Sequence, residues 1–326
     1  MTGIHTQGEK HLVLISGRAH PVLAKEVAEE LDIEVLPTTA YDFANGEIYV
    51  RFSESVRGAD AFVLQSHTSP INEWLVEQLI MVDALKRASA KRITVVAPCY
   101  PYARQDKKHR GREPISARLM ADLFTAAGAD RIMSVDLHAA QIQGFFNGPV
   151  DHLWAMPILT DYVRTRVDTS NCTVVSPDAG RIRVAEKWAA KLGGGPLAFV
   201  HKTRDTSRPN QTVANRVVGD AEGRSCVLVD DLIDTGGTIA EAARVLLEAG
   251  AKDVIVAATH GVLSHPAVQR LSECGAREVV ITDTLPIEKE KRFANLTVLP
   301  IAPLIARAIR EVFDDGSVTS LFDGNA

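Results

Sequence analysis

Short apolar runs alternate with longer amphipathic stretches along almost the whole chain. His11–Ser16 (HLVLIS), Asp60–Ser66 (DAFVLQS), Arg92–Pro98 (RITVVAP), Arg131–Asp136 (RIMSVD), Cys172–Asp178 (CTVVSPD), Cys226–Asp231 (CVLVDD), Asp253–His260 (DVIVAATH) and Glu278–Asp283 (EVVITD) read as strands. Between and after them, helical patterns fall over Pro21–Leu31, Asn72–Ala90, Ile158–Arg166, Ile239–Ala249 and Pro303–Phe313. Strands that are apolar without a polar alternation are covered on both faces, and helices set between them make the crossovers of a parallel sheet. The pattern predicts an α/β protein with a mainly parallel sheet flanked by helices.

A weak internal repeat suggests two similar halves. Ala84–Pro98 (ALKRASAKRITVVAP) and Leu247–His260 (LEAGAKDVIVAATH) share a helix end, a small-residue turn, a basic residue and an apolar strand. The 326 residues are enough for two domains, each with its own core. The expected division places residues 1–156 in an N-terminal domain and residues 157–326 in a C-terminal one, with the DDGSVTSLF tail docking on either half.

Composition narrows the class. At 46% hydrophobic, 24% charged and 6% aromatic residues, the chain reads as globular, and no apolar run approaches the roughly 20 residues that span a bilayer. The opening MTGIHTQGEK lacks the apolar centre of a signal peptide, so the cytoplasm is the expected compartment. Cys99, Cys172, Cys226 and Cys274 are far apart and form no CxxC pair, which favours buried thiols over a zinc cluster or a disulfide framework. A net charge of −5 argues against nucleic acid as a partner. The positive charge is concentrated instead, in Arg104, Lys107, Lys108, His109, Arg110 and Arg112 and again in His201, Lys202, Arg204 and Arg208. Clusters of that kind on an acidic protein point to a small anionic ligand.

The strongest chemical signal follows the run Cys226–Val229. Asp230 and Asp231 end the strand, and Asp234, Thr235, Gly236, Gly237 and Thr238 lead into the helix Ile239–Ala249. A strand, a Gly/Thr-rich turn and a helix present backbone N–H groups and a helix dipole to phosphate. Two carboxylates at the carboxyl end of the strand suit the vicinal hydroxyls of a sugar. Taken singly, the glycines could merely turn the chain and Asp234 or Thr235 merely cap the helix. Taken together, they favour a ribose phosphate. The segment is not a P-loop, because GxxxxGK[ST] is absent.

With this acidic pair and DTGGT loop the chain resembles the phosphoribosyl family, most members of which transfer the phosphoribosyl group to a base. Four further segments resemble ribose-phosphate diphosphokinase, the class I phosphoribosyl diphosphate synthetase family. They are Pro101–Lys108 leading into Pro114–Ala117, Ser134–His138 continuing through Gln141–Phe146, Val174–Gly180, and His201–Arg204. The resemblance covers nearly the whole chain and implies two phosphoribosyltransferase-like domains. It also implies transfer of the diphosphoryl group of Mg-ATP to the C1 hydroxyl of ribose 5-phosphate.

Residue by residue, the resemblance implies that Arg104, Gln105 and His138 hold ATP and that Asp230, Asp231, Asp234, Thr235, Gly236, Gly237 and Thr238 hold ribose 5-phosphate. Asp178, Ala179 and Gly180 form the diphosphate loop, with His138 and Asp178 binding Mg2+, and Lys202 and Arg204 are the catalytic pair. Arg181 departs from the commoner PDAGG form of that loop. Phe43, Asn45 and Glu47 resemble the segment that enters a neighbouring subunit's nucleotide site, although Asn45-Gly46 read alone is a turn. Ser55, Arg57, Ser317, Thr319 and Phe322 match positions that bind inorganic phosphate or ADP as effectors, in a homohexamer built from dimers. Two other readings stay open at this point: a base phosphoribosyltransferase, which leaves the nucleotide segments without a purpose, and a non-catalytic regulatory homologue.

Overall fold

In a computed structural model of the chain, residues 10–204 and 212–322 are described, without the side chains of residues 202–204 and 212–215. Two compact units emerge. One comprises residues up to Leu153 together with those from Ala302 onward, and the other runs from Trp154 to Ile301. The second unit therefore ends at Ile301 instead of running to the C-terminus.

In the first unit, strand β1 (Leu12–Ser16) leads into helix α1 (Pro21–Leu31). Pro21 takes the first position of α1, where its missing N–H costs nothing, and the His20 ring accepts from the Leu23 N–H at 3.4 Å. Strands β2 (Thr38–Asp42) and β3 (Ile48–Phe52) form an antiparallel hairpin. Then come β4 (Asp60–Leu64), α2 (Ile71–Arg87), β5 (Arg92–Val96), α3 (Ser116–Ala127), β6 (Arg131–Val135) and β7 (Val150–Leu153). The main sheet has the order β1-β4-β5-β6-β7, with every neighbour parallel. All five residues of β4 are buried, as expected of a strand with a helix layer on each face. Phe62, Met81, Leu85, Phe124 and Ile132 are fully enclosed between sheet and helices.

The second unit begins with α4 (Met156–Arg164) and continues through β8 (Cys172–Ser176), α5 (Ile182–Lys191), β9 (Leu197–Arg204) and β10 (Thr212–Gly219). It ends with β11 (Ser225–Ile233), α6 (Gly237–Glu248), β12 (Asp253–Gly261), α7 (Ala267–Glu273), β13 (Glu278–Thr282) and β14 (Leu296–Leu299). The sheet order is β10-β9-β8-β11-β12-β13-β14, parallel except for the β9–β10 pair. From β8 the chain crosses to β9 on one side, and from β11 it crosses to β12 on the other. The carboxyl ends of β8 and β11 thus flank a topological switch point, the place where open α/β sheets bind ligands.

The last helix, α8 (Ala302–Phe313), buries Leu304, Ile305, Ile309 and Val312 and packs on α1. At about 1.5–3 kcal/mol for each enclosed aliphatic side chain, this contact decides where the end of the chain goes. Polar contacts fix it further: Arg310 donates to the Leu31 carbonyl at 2.8 Å, Lys10 to the Phe313 carbonyl at 2.9 Å, and Asp315 accepts from Arg92 at 2.8 Å. All four cysteines are free and buried, and burial pushes the Cys172 thiol up to about 11 and that of Cys226 to about 12. Among the described residues no helix is long and apolar enough to cross a membrane.

Candidate active site

The sheet topology of the second unit brings two loops together. Asp178 follows β8, and Asp230 and Asp231 stand near the carboxyl end of β11, which pairs with β8. The Asp230 Oδ1 accepts the backbone N–H of Asp231 at 2.9 Å. Both carboxylates are largely withdrawn from water, with side-chain exposures of 16% and 10%. Burial, followed by the neighbouring charge of Asp231, holds the Asp230 carboxyl well above the usual carboxylate range, and Arg181 opposes that shift. Arg181 donates through Nη2 to Asp231 Oδ1 at 2.6 Å, and its Nε lies 3.7 Å from Asp230 Oδ1.

Past the acidic pair, Gly236 adopts φ +70° and serves as the N-cap residue of α6. A left-handed turn is open to glycine at little cost, and a glycine brings no capping oxygen into the space where the helix dipole draws an anion. A Cβ on Gly236 would sit 3.3 Å from Leu271, and one on Gly237 would sit 3.2 Å from Arg270. Arg270 in turn donates to the Thr235 carbonyl at 3.0 Å and braces the loop. After β8, Asp178 Oδ1 accepts from the Gly180 N–H at 2.8 Å, and Ser176 Oγ donates to the Asp178 carbonyl at 2.5 Å. The acidic pair, the Asp234–Thr238 loop and Asp178–Gly180 therefore gather at one switch point, as a sugar phosphate site requires.

The residues expected to hold the nucleotide belong to the first unit, on loops after β5 and β6. Gln105 holds the start of α3: its Oε1 accepts from Ser116 Oγ at 2.7 Å and its carbonyl accepts from the Ala117 N–H at 3.1 Å. Arg104 is exposed beside it, and His138 is half-buried beyond β6. Further on, Glu113 accepts the backbone N–H groups of His109 at 2.7 Å and Arg110 at 2.9 Å, which lowers its carboxyl below the usual range.

Phe43–Glu47 forms the tip of the β2–β3 hairpin. The Phe43 N–H donates to the Glu47 carbonyl at 2.8 Å, Asn45 Oδ1 accepts from the Glu47 N–H at 3.2 Å, and Gly46 takes φ +88°. Phe43 and Tyr41 are 46% and 45% exposed, with ring centroids 5.4 Å apart, so the hairpin carries an apolar surface. Just before the tip, the end of β2 is clamped by Arg18, a residue that the sequence pattern did not single out. Arg18 joins Asp42 to Glu77, whose side chain is fully buried and also accepts from Gln65 at 2.9 Å.

Lys202 and Arg204 lie in β9, and their side chains are outside the described residues. The stretch from His201, read as a polar loop, continues β9 as far as Arg204, and Asp205–Pro209 and Asn210 lie outside the described residues. Among the positions expected to bind effectors, Ser55 Oγ accepts weakly from the Arg57 N–H at 3.5 Å, and Ser317 and Thr319 share a hydrogen bond of 2.8 Å. Phe322, by contrast, is buried at 8% exposure. A separate cavity of about 540 Å3, lined by Thr165, Arg166, Arg277, Glu278, Asn295 and Thr297, opens at the amino ends of β13 and β14, away from the switch-point loops.

Comparison with known proteins bears on the family and the fold. Residues 12–128 match the N-terminal domain of ribose phosphate pyrophosphokinase, and residues 199–323 match the phosphoribosyl synthetase-associated domain. The chain is 68% identical over 326 residues to the ribose-phosphate pyrophosphokinase of Corynebacterium efficiens, covering 100% of both chains. It is 72% identical over 317 residues to that of Bifidobacterium longum, covering 97% of this chain and 93% of the relative. The crystal structure of phosphoribosylpyrophosphate synthetase from Mycobacterium smegmatis superposes with a TM-score of 0.90 at 67% identity, covering 94% of this chain and 100% of that one.

Proposed function

The chain belongs to the ribose-phosphate pyrophosphokinase family, and from that membership we propose how its residues divide the work of moving a diphosphoryl group from ATP to the C1 hydroxyl of ribose 5-phosphate. The protein is an enzyme that uses ATP and ribose 5-phosphate. The hydroxyl oxygen attacks the β-phosphorus, the bond from that phosphorus to the α-phosphate oxygen breaks, and AMP leaves as the hydroxyl gives up its proton. Such chemistry depends on alignment and charge neutralisation more than on a covalent partner. A base phosphoribosyltransferase has no use for ATP, so that reading gives way.

The observation that carries the reading is the acidic pair at the switch point, followed by a glycine turn at a helix N-terminus. Asp230 and Asp231 accept hydrogen bonds from the ribose hydroxyls, while Asp234, Thr235, Gly236, Gly237 and Thr238 surround the 5-phosphate. Asp178, Ala179 and Gly180 face the diphosphate. Arg104, Gln105 and His138 hold the nucleotide on the first unit, and Lys202 and Arg204 stabilise the charge that builds on the transferring group and on departing AMP.

A magnesium ion suits these residues if phosphate and water complete its shell. Asp178 offers the oxygen donor that a hard cation prefers, and among the described residues no three His, Cys, Asp or Glu side chains form a closed cage. Asp178 is the second unit's contribution, and His138 on the first unit is the one that would meet an ion carried by the nucleotide. When bound, the ion neutralises phosphate charge and draws electron density from the β-phosphorus.

The same reading makes the Phe43–Glu47 hairpin the part of each subunit that completes a neighbour's adenine site, in a cytoplasmic homohexamer built from dimers. Inorganic phosphate and ADP act as effectors at Ser55, Arg57, Ser317, Thr319 and Phe322. AMP release from ATP and ribose 5-phosphate, with no nucleobase present, tests the activity. Its failure in a folded, magnesium-supplied oligomer would refute it.

A further inference from the structure

Arg181 is the third residue of the turn after β8, yet its guanidinium is directed to the carboxylates of β11. We propose that Arg181 is a positioning residue for the sugar, a strap across the switch point that holds Asp230 and Asp231 as a pair of acceptors for the vicinal hydroxyls. The proposal rests on the reading of the acidic pair as the ribose site and goes beyond it.

Three observations carry it. The contact to Asp231 is a charge-assisted hydrogen bond of 2.6 Å, and the same guanidinium stands 3.7 Å from Asp230. The three side chains are shielded together, with exposures of 18%, 16% and 10%, so water does little to neutralise two adjacent negative charges. Asp230 Oδ1, the oxygen that the guanidinium approaches, is also held by the backbone N–H of Asp231, so the pair is fixed from two sides.

The chemistry follows. A diol donates two hydrogens and needs two oxygen acceptors set at its own spacing. Adjacent buried carboxylates repel, a strain that already holds the Asp230 carboxyl above the usual range and that would grow without a cation. A guanidinium, charged at every working pH, keeps both as acceptors while engaging only part of their lone-pair capacity. The commoner glycine at this position of the loop brings no cation. In this chain the geometry of the sugar site is therefore set from the neighbouring loop, and preference for ribose 5-phosphate over 2-deoxyribose 5-phosphate depends on Arg181.

Steady-state kinetics on the full-length enzyme test this with Arg181→Met, Arg181→Lys, Asp231→Asn and the Met/Asn double variant. Hydrogen bonds to charged groups are worth roughly 1.5–3 kcal/mol, so Arg181→Met is expected to raise the KM for ribose 5-phosphate by about 10- to 100-fold. The KM for ATP should stay within about threefold, which also reports an intact fold, and Arg181→Lys should recover part of the loss. Selectivity against 2-deoxyribose 5-phosphate should shrink in Arg181→Met, and in the Asp231→Asn background the Met substitution should add little. An effect of equal size in both backgrounds would overturn the proposal while leaving the sugar site intact, as would a change confined to kcat or to the KM for ATP. An Asp231→Asn enzyme with an unchanged KM for ribose 5-phosphate would overturn the reading of the acidic pair, and this proposal with it.

Discussion

Arg18 and Asp42 meet through two hydrogen bonds, from Nη1 to Oδ2 at 3.1 Å and from Nη2 to Oδ1 at 2.7 Å, while the Nε of the same guanidinium reaches Glu77. One side chain thus joins an exposed hairpin to a fully buried carboxylate on α2. The two ends carry different consequences. Removing the cation strands a buried charge, so Arg18→Met should cost about 3–5 kcal/mol in urea denaturation. Asp42→Asn should leave the urea midpoint nearly unchanged and raise the KM for ATP several-fold, because it frees only the hairpin. Equal loss of stability in both variants would contradict this division.

His67 sits within the first unit, with Nδ1 3.4 Å from the Cys99 carbonyl, and burial pushes its imidazole down to about 4. The unfolded chain takes up a proton near pH 6.5 that the folded protein refuses until about pH 4. Stability from this group is therefore complete above pH 6.5 and is lost as pH falls towards 4, by about 3 kcal/mol in all. His67→Gln should flatten the pH dependence of the urea midpoint across that window. A slope that survives the substitution would assign it to other groups.

At Gly236 the constraint is conformational. With φ at +70° and Leu271 3.3 Å from where a Cβ would lie, Gly236→Ala strains the backbone and crowds α7. An expected loss of about 1–2 kcal/mol in thermal or chemical unfolding should accompany a raised KM for ribose 5-phosphate. A variant as stable as the parent would show that the turn is relaxed in another conformation.

The catalytic and subunit roles can be tested together. Lys202→Ala should lower kcat by roughly 10²–10³ with a much smaller change in the KM for ribose 5-phosphate. Phe43→Ala should raise the KM for ATP. Co-refolded mixtures of the two variants should regain activity, because in a mixed oligomer one subunit contributes Phe43 to a neighbour whose Lys202 is intact. Mixtures no more active than their separate components would place Phe43 in its own subunit's site or outside any site.

The parts legible in the sequence were those whose pattern is local. Strands such as β4, β8 and β13 are short apolar runs enclosed on both sides, and their burial leaves that signature directly in the residue order. The β2–β3 hairpin escaped because its residues are mostly half-buried or exposed and its turn dominated the reading. Polar residues at the end of β9 likewise looked like a loop, and β14 is only half-buried. The DTGGT segment stood out through its residue types beside the acidic pair, and the structure places it at the start of α6. Arg181 was noticed only as an odd residue, since its link to Asp231 is made across two strands separated by a hairpin in the chain. Glu77 under Arg18 is the same case: a carboxylate on a helix reads as solvated until the tertiary structure encloses it.

Helix α8 lies against α1, although the whole of the second unit separates them in the chain. During translation, the apolar stripe that closes the first unit is made after every strand of the other unit has been synthesised. Until then the surface of α1 that α8 covers stays open, a target for chaperones and for misassembly. A chain cut short within α8 would lose part of its first-made unit, and a protease that frees this helix would act on the first unit rather than on the second.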